Sequence, residues 1–171
     1  MRAFDLVREW PASNTSICVI DRRGVAHTFG DTTRTSRIAS ISKLITAWAT
    51  LIAIEDSSTS LDAKVGQQDC TLAHLLSHAG GYSFDGTVPI VTPGRKRIYS
   101  NTGYELIANH VEQVSEIGFA DFLREAIFEP LGMSKSFLNG SAAHDIVSCA
   151  DDLAEFALEL RNPQLISIST A

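Results

Sequence analysis

Arg37-Ile-Ala-Ser-Ile-Ser-Lys-Leu-Ile-Thr-Ala47 is the stretch on which the fold turns. Ile41, Leu44, Ile45, Trp48, Leu51 and Ile52 recur through and beyond it at helical spacing, and Ala47, Ala49 and Ala53 fill most of the other face. A helix apolar nearly all round is a buried one, so the spacing predicts a core helix starting near Ser40. Ser40 and Lys43 stand three residues apart and share one face. A hydroxyl at a helix N-terminus lies where main-chain N–H groups and the helix dipole favour negative charge. Desolvation makes a buried lysine lose its proton readily, and a neutral amine beside a serine hydroxyl is a base next to a nucleophile. S-x-x-K also arises often by chance, and a lysine can equally snorkel from a surface turn. The pair gains weight only in company.

Tyr99-Ser-Asn101 supplies that company. It follows Pro93-Gly94 and precedes a predicted helix. A phenol can shuttle a proton, and an amide two residues on can orient a substrate carbonyl. The plainer alternative is an ordinary turn in which Asn101 caps the next helix.

The remaining elements are read outward from these. Residues 16–20 and 25–29 are β-prone and flank Asp21-Arg-Arg-Gly24, which predicts a hairpin. Thr71 is a candidate N-cap for a helix to His78, with Gly80-Gly81 as its stop. Residues 82–101 read as loop. Helices are predicted at about 103–115, 119–128 and 150–161, the last with Ser148 as its cap. A two-stranded hairpin is marginal alone, so it must lie on helices or on further strands.

With 171 residues the chain has the length of one domain, and such a domain buries roughly 70% of its unfolded surface without staples. Fourteen basic against twenty acidic residues give a net charge of −6, which argues against a phosphate-backbone partner such as nucleic acid. Three widely spaced cysteines, Cys18, Cys70 and Cys149, are not a disulfide framework. The first ten residues carry charges where a signal peptide needs an apolar core. Leu44–Ile54 is too short an apolar run to span a bilayer. A cytoplasmic protein with no membrane association is expected.

Arg37–Ala47 resembles the nucleophile helix of serine β-lactamase-related proteins, which include class C β-lactamases, low-molecular-weight DD-peptidases and esterases. Thr71-Leu-Ala-His-Leu-Leu-Ser-His-Ala-Gly-Gly81 is similar to the helix and turn that commonly follow. Pro93-Gly-Arg-Lys-Arg-Ile-Tyr-Ser-Asn-Thr-Gly103 resembles the second motif of these proteins. Phe128-Glu-Pro-Leu-Gly-Met133 and Ile146-Val-Ser-Cys-Ala-Asp-Asp-Leu153 match later segments, all in family order. The resemblance covers roughly residues 15–160 of what reads as a single domain over 1–171. It implies an α/β fold of the β-lactamase/transpeptidase type, here mainly the helical region with the N-terminal hairpin. It further implies that Ser40 is the acylated nucleophile, that Lys43 and Tyr99 form a shared acid–base set, and that Asn101 positions the carbonyl of a small ester or amide. No cofactor and no metal is implied.

The family's third motif, Lys-Thr-Gly or His-x-Gly on a strand after the helical region, supplies a wall of the site and a second oxyanion donor. The chain ends at Ala171 ahead of that strand, so an incomplete domain lacking the C-terminal strands is expected, with uncovered apolar helix faces. His78-Ala-Gly80 has the letters but precedes Tyr99 in a helix-to-turn setting, and is rejected for that role. Loss of one oxyanion donor costs on the order of 100–1,000-fold in turnover, so a non-catalytic remnant is the competing reading.

Three further groups stand out. Cys70, His74 and His78, at i, i+4 and i+8, are a possible zinc set without a fourth ligand; the alternative is two histidines bonded to neighbouring loops. Arg95-Lys-Arg97 can draw a substrate carboxylate towards Tyr99 or simply be a solvated loop. Asp151-Asp152 suits a helix start and is given no catalytic role. No G-x-S-x-G, P-loop or dinucleotide-binding glycine pattern is present.

Overall fold

A computed structural model describes residues 3–170. A short helix α1 (Ala3–Val7) leads into the antiparallel hairpin β1 (Ile17–Asp21) and β2 (Gly24–Phe29). The N-terminal residues read above only for a leader thus begin a helix, with Phe4 packed on Phe29 at 5.6 Å between ring centroids. The predicted hairpin forms, and it lies on a helix as its marginal stability demands. That helix is α6 (Ala150–Arg161), which packs on β1.

A second sheet is built from pieces too short to carry periodicity: β3 (Ser36–Arg37), β4 (Phe137–Leu138) and β5 (Ile146–Ser148), in the order β3-β5-β4, all antiparallel. Pattern reading misses such two- and three-residue strands because alternation needs at least four residues to register. They nevertheless set the site. β3 runs straight into a 3₁₀ turn, Ala39–Ile41, and then into α2 (Ser42–Glu55). The predicted helix start near Ser40 is therefore this tighter turn, and the α-helix proper begins two residues later.

The remaining helices are α3 (Leu72–Leu76), α4 (Asn101–Ser115) and α5 (Phe119–Leu123), which continues as a π-helical turn over Arg124–Phe128. Three predicted boundaries change. α3 stops at Leu76, because His78 itself adopts the left-handed conformation (φ 60°) and ends the helix ahead of Gly80-Gly81. α4 is capped by Ser100, whose hydroxyl accepts the Gly103 N–H (3.1 Å), so Asn101 is not the cap. Cys149, without a side-chain bond, precedes α6, while Ser148 lies in β5 and pairs with the Ser136 hydroxyl at 2.7 Å.

Ile45, Trp48, Ala49 and Ile52 of α2 meet Val111 of α4, Phe119 and Leu123 of α5, and Phe156 of α6 in the main core. Each fully buried aliphatic side chain there contributes on the order of 1.5–3 kcal/mol. A second cluster, including Leu72, Leu75, Tyr82, Tyr104 and Ala143, underlies the 82–100 loop. The expectation of a helix buried all round is corrected in a particular way. Ser42, Lys43, Thr46 and Thr50 of α2 are buried, whereas Ile41 and Leu44 are 45% and 54% exposed. Ser42 accepts from Ile146 N–H, Lys43 and Thr46 donate to Ala143 O and Ala142 O, and Thr50 donates to Thr46 O within its own helix, which makes their burial tolerable, while about half of Ile41 and of Leu44 stays uncovered. No helix among the described residues is long and apolar enough to cross a membrane.

Candidate active site

Ser40 sits exposed on the 3₁₀ turn, immediately after Ala39, whose backbone is left-handed at φ 48°. A left-handed alanine is uncommon and persists where its surroundings hold it. Here the supports are on either side. Ile38 N–H donates to Ile146 O (2.9 Å), and Ile146 N–H donates to Ser42 Oγ (3.1 Å), so β5 grips the turn from both ends. At the start of a helical turn the N–H groups lack intrahelical acceptors, which leaves the Ser40 amide suited to face an oxyanion.

One turn on, Lys43 is 4% exposed, and Nζ donates to Asn101 Oδ1 (2.6 Å), Ala143 O (2.9 Å) and Ser40 Oγ (3.4 Å). Three acceptors match the three N–H donors of an ammonium group. The same nitrogen lies 4.7 Å from the centroid of the Tyr99 ring and 5.7 Å from that of Tyr104. Lys43 is thus no surface lysine. Thr46 extends the ladder, donating to Ala142 O (2.8 Å). The 141–143 strap is fixed in turn by Glu105 of α4, which accepts from the Ser141 hydroxyl and from Ala143 N–H.

Tyr99 projects from the end of the 82–100 loop, 44% exposed, stacked on Phe84 at 6.0 Å. Partial burial opposes ionisation of its phenol. Ser40 and Lys43, as polar neighbours, and the Lys43 charge outweigh that effect and hold it below the usual phenol value of 10.0, although the hydroxyl meets regular hydrogen-bond geometry to neither. Asn101 begins α4 with both ends of its amide engaged. Oδ1 receives Lys43, and Nδ2 donates to Asp85 Oδ1 at 2.8 Å. One Nδ2 hydrogen remains for a substrate carbonyl. The backbone assists this placement, since Asn101 N–H donates to Phe84 O at 2.7 Å.

The four residues singled out in the sequence, Ser40, Lys43, Tyr99 and Asn101, therefore meet in one place. Asp85, Ala143 and Glu105 were not found from the sequence. Asp85 and Glu105 are lone acids with no local pattern, and Ala143 acts through its carbonyl. The zinc alternative loses its ligands to other bonds. His74 Nδ1 accepts from Thr71 N–H (3.2 Å) in a capping box, the Cys70 thiol donates to Thr71 O (3.7 Å), and His78 Nδ1 accepts from Ser100 N–H (3.2 Å). Asp152 is buried, accepting from Lys135 N–H and Ser136 Oγ. A depression of about 440 Å³ lies elsewhere, lined by Arg23, Leu131, Glu159 and Arg161 among others, and shares no lining residue with this group.

A family model described as Beta-lactamase matches residues 15–170. The chain belongs to the β-lactamase family. Among solved structures of that fold, a β-lactamase from Mycobacterium bovis is 35% identical, with a TM-score of 0.96 over 98% of this chain and 63% of its own. A penicillin-binding protein from Bacillus halodurans, 18% identical, has a TM-score of 0.87 over 98% of this chain and 76% of its own. Penicillin-binding protein 4* of Bacillus subtilis (strain 168) is 28% identical in an alignment 132 positions long that covers 58% of this chain and 29% of that protein. The chain thus spans under two thirds of the mycobacterial structure and less than a third of the curated relative. The α/β architecture expected from the resemblance is that of the β-lactamase fold, seen here in part.

Proposed function

We propose that the chain carries the acyl-transfer centre of a serine hydrolase that cleaves a small ester or amide. The carrying observation is the convergence on Lys43 Nζ of Ser40 Oγ, Asn101 Oδ1 and the Tyr99 ring within 3.4, 2.6 and 4.7 Å. Ser40 Oγ attacks the carbonyl carbon as Tyr99, its phenol held low by Lys43, takes the serine proton. Lys43 donates to Oγ and balances the charge on the phenolate. Tyr99 then returns the proton to the leaving oxygen or nitrogen, and the ester on Ser40 remains. Water, deprotonated by the same phenolate, releases the acid and regenerates the serine. Asn101 offers its free N–H to the substrate carbonyl, and the Ser40 amide offers another to the oxyanion.

Arg95-Lys-Arg97, exposed just ahead of Tyr99, suits an acyl or leaving group that bears a carboxylate. The relatives bear the names β-lactamase and penicillin-binding protein, so a β-lactam is a natural first probe beside simple esters. The partner is a small molecule, and the net charge of −6 disfavours nucleic acid. All three cysteines are free, which suits a reducing compartment, the cytoplasm. The second reading, a non-catalytic remnant that keeps these motifs, draws on the half-exposed Ile41 and Leu44 beside Ser40.

Pre-steady-state release of nitrophenol from p-nitrophenyl acetate tests the proposal. A burst approaching one equivalent per chain is expected, absent in Ser40→Ala. A slow linear release from folded protein, equal in both, would refute it and select the second reading; a burst with no later turnover would support acylation and refute hydrolysis by this chain.

A further inference from the structure

The segment bearing Tyr99 is pinned on both sides by a single residue. Ile98 N–H donates to the main-chain carbonyl of His78 (2.8 Å), and Ser100 N–H donates to Nδ1 of its ring (3.2 Å). Between these two bonds the Tyr99 ring lies tilted against the imidazole, with centroids 4.5 Å apart. The imidazole also meets the Tyr104 ring at 5.1 Å. His78 is 8% exposed, and its backbone is in the left-handed region. A histidine in that conformation, buried and gripping both neighbours of one tyrosine, is built to hold that tyrosine.

Nδ1 accepts a hydrogen bond only when it carries no proton, so the grip requires the neutral ring with its hydrogen on Nε2. A second proton on the ring turns Nδ1 into a donor facing the Ser100 N–H, another donor, and the bond is lost. We infer that His78 is a positioning residue for Tyr99, setting the phenol beside Ser40 and Lys43 while neutral and releasing it when protonated. The inference rests on Tyr99 as the acceptor of the Ser40 proton.

The ionisable groups around the ring come from each element packed on it. They are Lys43 from α2, Tyr104 from α4, and Tyr82, Arg97 and Tyr99 from the loop. Burial, then the charges of Lys43 and Arg97, hold the imidazole below its ordinary value of 6.5. The neutral grip therefore prevails at neutral pH and opens on the acid side.

Two measurements on the full chain decide the matter. In ¹⁵N-histidine NMR of the unmodified protein, His78 is expected as the Nε2–H form at pH 7, titrating below 6.5. The Ser100 amide and Tyr99 ring signals should move with the same midpoint. An Nδ1–H form, or Tyr99 signals indifferent to that titration, would overturn the inference whether or not Ser40 reacts. The second measurement is acylation by p-nitrophenyl acetate as a function of ester concentration and pH. His78→Phe keeps a ring but no acceptor, and is expected to lower the maximal acylation rate about 10- to 100-fold, as small misplacements of reacting groups do. Its half-saturating concentration should stay nearly constant. His78→Asn restores an acceptor near the Nδ1 position and should recover most of that rate without the imidazole's acid-side decline. Folded variants that both acylate at the parent rate and with the parent pH profile would also overturn it. If the parent chain itself fails to acylate, the reading of Tyr99 as base falls, and the NMR result alone judges the grip.

Discussion

In the proposed mechanism Lys43 and Tyr99 divide the chemistry between them through their surroundings. Lys43 has three acceptors about one nitrogen, and Tyr99 has a cation close to its ring. In the proposed mechanism the phenol, rather than the amine, therefore carries the proton. A base that takes a proton works only when ionised, so acylation should rise with pH and level off once the lowered phenol value is passed. Removing a general base usually costs about 10²–10⁴-fold. Tyr99→Phe should therefore lower acylation by that factor at pH 8 and abolish the rising limb, as read by stopped-flow release of nitrophenol. A phenylalanine variant that keeps both rate and limb would pass the role back to Lys43. These two residues and Asn101 were legible in the sequence because they stand in motifs that follow the family's order, a signal neither short motif carries alone. Asp85 was not legible. It accepts from the Asn101 amide across sixteen residues of chain, and no local pattern encodes such a contact.

At the scale of elements, α2 is held by polar side chains as much as by apolar ones. Ser42, Lys43 and Thr46 bond to Ile146, Ala143 and Ala142 in turn, tying α2 to the start of β5 and the strap that precedes it. A buried carbonyl deprived of its donor costs about 1–3 kcal/mol. Thr46→Val conserves shape and strands the Ala142 carbonyl, so urea unfolding should report a loss of that size; an unchanged midpoint would mean that the ladder contributes nothing. Apolar spacing revealed α2 as a core helix, but it misassigned the faces. Spacing counts Ile41 and Leu44 as core and cannot foresee that Thr46 and Thr50 find main-chain partners. The longer helices and the hairpin carry enough residues for periodicity and turn chemistry to speak. β3, β4 and β5 do not, and they exist because tertiary pairing closes around Ser40. The caps went the same way: Thr71 was legible from its neighbourhood, whereas Ser100 rather than Asn101 takes the cap of α4 because Lys43 and Asp85 claim the asparagine.

For the whole molecule, several large apolar side chains are exposed, four of them on the segments that carry the candidate site. Ile41 adjoins Ser40 in the chain, Leu44 follows one turn on, and Phe84 stacks on Tyr99; all four are exposed. Exposed apolar patches next to a functional group promote association. Leu44→Glu removes one member at a position more than half exposed, so stability should stay within about 0.5 kcal/mol. Concentration-dependent self-association, followed by sedimentation velocity, should fall. A collapse in stability would instead show that Leu44 is buried in solution. Family membership was legible because five segments keep their order over most of the chain, a signal no single short motif carries.

Everything above converges on one hydroxyl. The most direct measurement is the intact mass of the purified chain after brief exposure to an activated ester or a penicillin-type probe, followed by peptide mapping, with Ser40→Ala alongside. The account predicts a single acyl adduct on the peptide containing Ser40, absent from the alanine protein. No adduct on folded protein, or an adduct that persists in Ser40→Ala and maps to another side chain such as Cys18, would contradict it.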